Sequence, residues 1–391
     1  MPVLSSVTTS GTTRSVTVVL DDDPTGTQEV SGVPVLLRRD RARLIGLLRD
    51  YDAVFVLTNT RAVPEGDAAA LIAGLVEDVR VAEVELGVRA LVVQRGDSTL
   101  RGHVFAEVDA VDPRAVVVYC PAFPAGGRRT VGGVHEVLVE GTWLNAADTE
   151  FAQDPVFAYS ARSQVEFVAE KGRSRVGVSV PAAAVADAVR AAAPGTVVLP
   201  DASTDADIAA IAEQLRGLER DVVVRCAAPL AAFLARAKST ALLSDTAALG
   251  DVAVLGDVAP VTGSVLVVVG SHTGAAAAQL ARLTEVVGPA LELSTAAAQA
   301  DPVAAGEALA GEVGATSGVV VLASERTRLA EHATLAHGAA VMTALTNAVQ
   351  ILVGRDLVGR VAAVVAKGGI TSAEIARTGL GADVAWVVGQ L

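Results

Sequence analysis

Short apolar runs that end abruptly in polar, glycine-rich or acidic residues set the rhythm of this chain. Residues 16–20 run into Asp21-Asp22-Asp23-Pro24-Thr25-Gly26, and residues 53–57 into Thr58-Asn59-Thr60-Arg61. Residues 90–94 run into Arg95-Gly96-Asp97-Ser98-Thr99-Leu100-Arg101-Gly102, and residues 115–119 into Cys120-Pro121-Ala122-Phe123-Pro124. Apolar runs of this length, bounded by turn signals, predict strands buried on both faces of a parallel sheet. Between them the helical period returns, as over residues 64–86. In open parallel α/β sheets ligands bind outside the carboxyl ends of the strands, so these polar segments are predicted to converge on one crevice.

Residues 126–163 interrupt the rhythm and predict a loop-rich excursion with few periodic elements; an insertion of that size is more often functional than inert. The alternation resumes with strand 175–180, helix 182–192, strand 197–199, helix 205–215, strand 222–225 and helix 229–238, which closes a first domain over residues 15–240. An acidic, glycine-containing stretch over 241–262 reads as a linker. A second domain over 263–391 opens with strand 264–269, then Gly270-Ser271-His272-Thr273-Gly274 and helix 275–283. Strands 290–293, 319–322, 361–366 and 384–388 and helices 330–353 and 373–378 complete it. The prediction is an α/β protein of two domains, each a mostly parallel sheet flanked by helices, with the active site in the interdomain cleft.

Composition narrows what such a protein does. At 391 residues the chain is long enough for two hydrophobic cores. Hydrophobic residues make up 51% and mean hydropathy is +0.48, but the excess lies in short Ala/Val runs. No uninterrupted apolar stretch reaches the ~18–20 residues of a spanning helix, so no membrane partner is expected. A formal net charge of −13 and only three lysines (Lys171, Lys238 and Lys367) leave no basic face for nucleic acid. A small anionic ligand would therefore be held by particular arginines rather than by a diffuse field. Cys120 and Cys226 stand far apart with no CxxC spacing, as in a reduced cytoplasmic protein. Residues 1–14 are rich in Ser and Thr but lack an apolar core, and predict a disordered tail rather than a signal peptide.

The candidate chemistry falls into three groups. Asp21-Asp22-Asp23 gathers carboxylates at a strand end, a repulsive arrangement unless a cation, an arginine or a hydroxyl donor offsets it. In such a group one carboxylate serves as a general base or hydroxyl acceptor and another helps hold Mg²⁺, or else the acids simply open a polar turn with Pro24 and Gly26. Arg95, Asp97, Ser98 and Arg101 form the second group. Two guanidiniums in one turn fork onto a carboxylate or phosphate while Asp97 and Ser98 meet hydroxyls. The plainer alternative is an ion pair of Arg95 or Arg101 with Glu107 or Asp109. Arg61 and Arg128 follow the same anion-holding logic, Arg128 within Gly126-Gly127-Arg128-Arg129-Thr130. The third group is Gly270-Ser271-His272-Thr273-Gly274 and Lys367-Gly368-Gly369-Ile370-Thr371-Ser372, each following an apolar strand and opening a helix. Glycines there let a phosphate approach backbone N–H groups; Ser271, Thr371 and Ser372 either add donors or cap the helices.

Several signatures are missing. No GxxxxGK[ST] or HExxH segment occurs, and Gly379-Leu380-Gly381 lacks a third glycine and precedes a strand. The histidines, with His332 and His337 five apart, have no metal-binding spacing, so none of them is assigned as a metal ligand.

Five segments, Asp22-Asp23-Pro24-Thr25-Gly26, Asp97-Ser98-Thr99-Leu100-Arg101-Gly102, Pro121-Ala122-Phe123-Pro124 with Gly127-Arg128, Gly270-Ser271 and Gly368-Gly369-Ile370-Thr371-Ser372, together resemble the four-carbon acid sugar kinases in order and separation. The resemblance runs from about residue 16 to the C-terminus. It implies an ATP-dependent kinase that phosphorylates a hydroxyl of threonate, erythronate or 3-oxo-tetronate, with a sugar-acid-binding domain followed by a nucleotide-binding domain. Carried over by motif, Asp22 and Asp23 would be catalytic at the acceptor hydroxyl. Arg95, Asp97, Ser98 and Arg101, with Arg61 and Arg128 beside them, would bind the acid sugar. Ser271, Gly368, Gly369 and Thr371 would hold ATP with Mg²⁺. A homodimer is compatible with this reading. Two departures stand out: Arg95 replaces the lysine usual in the family, and the sequence stops at Gly389-Gln390-Leu391, where the family usually adds another Gly-rich nucleotide loop. A short member, an incomplete nucleotide site, or a wall supplied by another subunit would each account for that. The alternative function is a non-catalytic sugar-acid-binding member that has lost efficient ATP use.

Overall fold

The computed structural model describes residues 13–22, 29–216, 218, 222–239, 263–313, 318–327, 334–354 and 361–388. Asp23, the predicted linker 241–262 and most of the predicted tail lie outside the described residues. In chain order the first strands are β1 (Ser15–Asp21), β2 (Val33–Leu36), β3 (Ala53–Leu57), β4 (Arg89–Arg95), β5 (Val117–Cys120), β6 (Arg128–Val131), β7 (Val134–Val139) and β8 (Thr142–Asn145). They are followed by β9 (Val176–Val180), β10 (Thr196–Pro200), β11 (Val223–Cys226), β12 (Ser264–Val269), β13 (Leu291–Leu293), β14 (Val319–Ser324), β15 (Val361–Lys367) and β16 (Val384–Val387).

The fold is α/β with two mostly parallel sheets flanked by helices. A nine-stranded sheet has the order β16-β2-β3-β1-β4-β11-β5-β10-β9, and a four-stranded sheet the order β13-β14-β12-β15. In the larger sheet only β16 runs antiparallel, against β2. The cause of the burial on both faces is visible within β1. Val19 joins Phe55, Val93, Ile208 and Ile211 on one side. Val18 and Leu20, pointing the other way, join Val54, Val56, Leu48, Ile72 and Leu75 under helices Arg41–Asp50 and Glu65–Leu86. Side chains alternate along a strand, so a run of apolar residues feeds two cores at once. Helix Glu65–Leu86 stops at Gly87, whose left-handed φ of 63° lets its N–H cap the Glu83 carbonyl.

The second sheet packs on helices Gly274–Val287, Pro302–Glu312 and Leu335–Gly354. Among the described residues one helix, over Ala336–Gly354, is long and apolar enough by length and composition to cross a bilayer. Its Ala344, Leu345, Ala348, Val349 and Leu352 are buried against Leu266, Val268 and Leu322, the packing of a core helix.

Three features differ from expectation. The excursion is not loop-rich throughout: β6, β7 and β8 form an antiparallel sheet of their own. The helix predicted at 373–378 begins earlier, at Gly369–Glu374, and passes into a π turn over Ile375–Gly379. Strand 384–388, predicted within the second domain, is β16 at the edge of the first sheet.

Candidate functional site

The carboxyl ends of β1, β3, β4 and β11 meet in one buried charge network. Asp21, the last residue of β1, accepts from Arg95 Nη1 at 2.8 Å. Asp22 follows directly and accepts from Arg225 Nη2 on Oδ2 at 3.1 Å. Arg61 Nε stands 3.7 Å from the same oxygen, and Arg95 Nη1 stands 4.0 Å from Oδ1. Arg225 in turn donates to Glu107 Oε2 at 2.5 Å. Burial drives the Asp22 carboxyl up to about 7; Arg61, Arg225 and Arg95 pull it back and Glu107 adds to the rise. That is the range in which a carboxylate takes and returns protons near neutrality.

Asp97 has the opposite character. Its Oδ2 accepts the Thr99 N–H at 3.2 Å, the Arg101 N–H at 3.3 Å, the Thr99 hydroxyl and Arg101 Nε at 2.9 Å. Arg61 Nη1 lies 3.6 Å from its Oδ1. Burial pushes the carboxyl up, but the Arg101 and Arg61 charges and these hydrogen bonds outweigh it and hold it well below the usual carboxylate range. Asp97 is therefore the fixed negative centre of a tight turn, in which Leu100 takes a left-handed φ of 66°.

The excursion supports this turn from outside. His135 Nε2 lies 2.8 Å from the Ser98 carbonyl, and its Nδ1 lies 3.0 Å from the Thr130 hydroxyl. Burial drags His135 down to about 4, so the ring is neutral near pH 7. Facing a carbonyl, Nε2 must carry the proton and donate it, which leaves Nδ1 to accept from Thr130. Tyr159 Oη donates to the Thr99 carbonyl at 3.0 Å. Phe151 lies under the guanidiniums of Arg101 and Arg128, at 5.2 and 5.8 Å.

In the second sheet, the loops after neighbouring strands β12 and β15 touch. A Cβ on Gly270 would overlap the Thr371 hydroxyl, and one on Gly368, at φ +111°, would come within 2.9 Å of Ser271 Cβ. Only glycines allow this approach. Thr273, not Ser271, caps helix Gly274–Val287 by accepting from the Ala276 N–H at 3.3 Å. Ser372 returns its hydroxyl to the Ala366 carbonyl at 3.1 Å. Ser271 is thus not spent as the helix cap, and Arg326 Nη2 holds its carbonyl at 2.8 Å.

A cavity of ≈ 900 Å³ joins the two sets of loops. Asn59, Arg61, Arg101 and Asp154 line it from one side, and Gly270, Ser271, Gly368, Gly369, Thr371 and Met342 from the other. Asn59 also donates across to Glu374 at 3.0 Å. Asp22 and Asp97 stand directly behind the lining arginines. Arg128 reaches the group through Phe151, and Ser98 contributes its carbonyl to His135. Arg95 is turned beneath the site, almost wholly buried and engaged by Asp21. The alternative partners considered for it are taken elsewhere: Glu107 pairs with Arg225, and Asp109 with Arg175 at 2.7 Å. Sequence reasoning missed Arg225, Glu107, His135 and Tyr159. Arg225 alone left a signal, a single charge within the apolar run Val222-Val223-Val224-Arg225.

Family models match both halves of the chain: a sugar-binding N-terminal domain over residues 17–234 and a nucleotide-binding C-terminal domain over residues 266–391. The chain belongs to the four-carbon acid sugar kinase family. A D-threonate kinase of that family from Bordetella bronchiseptica is 33% identical over 242 residues, covering 61% of this chain and 52% of that protein. A D-erythronate kinase from Heliobacterium modesticaldum is 31% identical over 222 residues, covering 50% and 47%. The chain spans about half the length of these curated relatives. A solved protein from Salmonella typhimurium LT2 shares the fold, with TM-score 0.62 and 19% identity over 94% of this chain and 89% of that one. Within the family frame, the buried charge network lies in the sugar-binding half and the two glycine loops in the nucleotide-binding half.

Proposed function

We propose that this protein is an ATP-dependent kinase that phosphorylates a hydroxyl of a four-carbon sugar acid such as threonate or erythronate. The observation that carries the reading is the shared cavity, with the arginine–aspartate cluster on one wall and the paired glycine loops on the other. In this reading residues 15–240 bind the acid, residues 263–391 bind ATP, and the cavity between them is the active site. A cytoplasmic setting, where ATP is available, goes with this reading.

The roles follow from the environments. Arg61, Arg101 and Arg128 attract the substrate carboxylate, and the Asp97 turn with Ser98 orients its hydroxyls. Asp22 accepts the proton of the attacking hydroxyl as the γ-phosphoryl group is transferred. Asp23 shares the catalytic assignment by motif and lies outside the described residues. Arg95 acts from below, neutralising Asp21 and tempering the charge around Asp22. Ser271, Thr371 and the backbone at Gly368 and Gly369 cradle the ATP phosphates; the close approach of the two loops, which a Cβ at Gly270 or Gly368 would prevent, brings these groups together on one cavity wall. Mg²⁺ would arrive with ATP and offset phosphate charge. Among the described residues no three His, Cys, Asp or Glu side chains are grouped to hold a metal ion, so no side chain is assigned to it. Phosphoryl transfer asks mainly for positioning and charge neutralisation, which this set supplies.

A thermal-shift and calorimetric screen of four-carbon sugar acids, with and without MgATP, tests substrate class and nucleotide use together. Saturable binding of both ligands and coupled-assay turnover are expected. Asp22→Asn is expected to cost at least ~10²-fold in kcat, and Arg101→Ala to raise the sugar-acid KM. Sugar-acid binding without ATP binding would replace the kinase by the binding-protein alternative.

A further inference from the structure

Among the described residues Arg225 is the largest of the fully buried side chains, and it interrupts an otherwise apolar strand. A guanidinium taken out of water is costly unless paired and hydrogen-bonded, and an apolar residue of similar volume would often serve stability as well or better. Its surroundings are built for it. Glu107, in the first turn of helix Val104–Val111, accepts from Nη1 at 2.5 Å, and Asp22 accepts from Nη2 at 3.1 Å. A Cβ at Gly96 would overlap the guanidinium. One at Gly102 would sit 3.5 Å from both Arg225 Nη2 and Asp22 Oδ2. Gly96 thus clears the space for the guanidinium, while Gly102 only borders it at ordinary contact distance.

We propose that Arg225, clamped by Glu107, is the positioning residue of Asp22: its bond to Oδ2 fixes the plane and the charge of the carboxylate that receives the acceptor hydroxyl's proton. The inference rests on the kinase reading above, in which Asp22 receives that proton. A planar fork held by two carboxylates cannot rotate without breaking one bond, so it fixes its partner's orientation as well as its charge. Among the described residues Asp22 Oδ1 has no hydrogen-bond partner, although it is buried. The charged groups around Asp22 are Arg61 at 3.7 Å, Arg95 at 4.0 Å and Arg225 at 3.1 Å, with Asp21 its chain neighbour, Glu107 behind Arg225 and Asp97 behind Arg61. Arg225 makes the closest of these contacts. Glu107 acts on Asp22 only through Arg225 and through space.

Three variants, Arg225→Met, Arg225→Lys and the near-isosteric Glu107→Gln, test the inference. In steady-state kinetics with a turned-over sugar acid, Arg225→Met should lose ~10²-fold in kcat while the KM values for sugar acid and ATP change less than about threefold. Arg225→Lys should recover part of the loss. The acidic limb of the kcat–pH profile should move up by about one pH unit in Arg225→Met and down in Glu107→Gln, since one removes a positive and the other a negative charge. A residue that merely supports the fold would shift neither limb or move both the same way, and that result overturns the proposal. If Arg225→Met does not fold, Glu107→Gln decides by the direction of its shift alone. A ¹³C NMR titration of the Asp22 carboxyl in the ligand-free protein reads the same opposite shifts without turnover. It therefore separates this inference from the kinase reading: an active Asp22→Asn variant would sink the latter, and unshifted titrations the former.

Discussion

Two carboxylates that share Arg61 as a neighbour are tuned in opposite directions. Asp22, stripped of water, titrates near 7, whereas Asp97, wrapped by Arg101, Arg61 and Thr99, stays ionised at any ordinary pH. Such a split separates a proton acceptor from a fixed electrostatic anchor. The kcat–pH profile should rise with a midpoint near 7 on the acid side and be flat there in Asp22→Asn. Stability must show the reverse trend. The native carboxyl keeps its proton up to about 7 and the unfolded one releases it near 3.8, so the native state binds more protons between them. Its contribution is complete below the lower value and is lost as pH rises through the upper one. Melting temperatures at pH 5 and pH 8 should therefore fall more in the wild type than in Asp22→Asn. Equal changes would mean that Asp22 is ionised throughout.

At the scale of elements, the turn 97–102 is held from outside as well as by Asp97 within it. Its Ser98 and Thr99 carbonyls are gripped by His135 from β7 and by Tyr159, so the excursion works as an outer brace for this turn. Removing one donor should cost about 1 kcal/mol, or roughly fivefold in affinity. Tyr159→Phe is thus expected to raise the sugar-acid KM several-fold and leave the ATP KM unchanged; equal rises in both would assign Tyr159 to global stability instead. His135 adds a pH term of the opposite sense from Asp22. Its native value of about 4 lies below the unfolded 6.5, so its support is present above 6.5 and lost as pH falls toward 4.

At the scale of the molecule, the chain returns to where it began. After the second sheet, β16 pairs with β2, Arg43 meets Asp383 at 2.8 Å, and Trp386 packs on Tyr51 with ring centroids 5.4 Å apart. With the Asn59–Glu374 bond, these contacts tie the nucleotide-binding half to the edge of the sugar-binding sheet and to the cavity wall. The two halves should then unfold together. Scanning calorimetry is expected to give one transition for the wild type and two for Asp383→Ala/Trp386→Ala, with the first lowered by an amount equivalent to about 1–3 kcal/mol. A single unshifted transition in the variant would show that coupling runs elsewhere.

The sequence by itself determined the α/β class, most strand positions, the polar strand ends and the glycine loops, because these depend on residues adjacent in the chain. Valines at successive positions bury both faces of a strand wherever it lies, and a glycine before a helix frees a backbone wherever the ligand comes from. Only the tertiary structure decided which acid each arginine meets. Arg95 finds Asp21 across 74 residues and Arg225 finds Glu107 across 118, distances over which no local pattern carries information. The same holds for β16, whose apolar run reads identically in either sheet, and for the nearly neutral titration of Asp22. That property belongs to the burial and the three guanidiniums around it, and burial is created only when the strands come together.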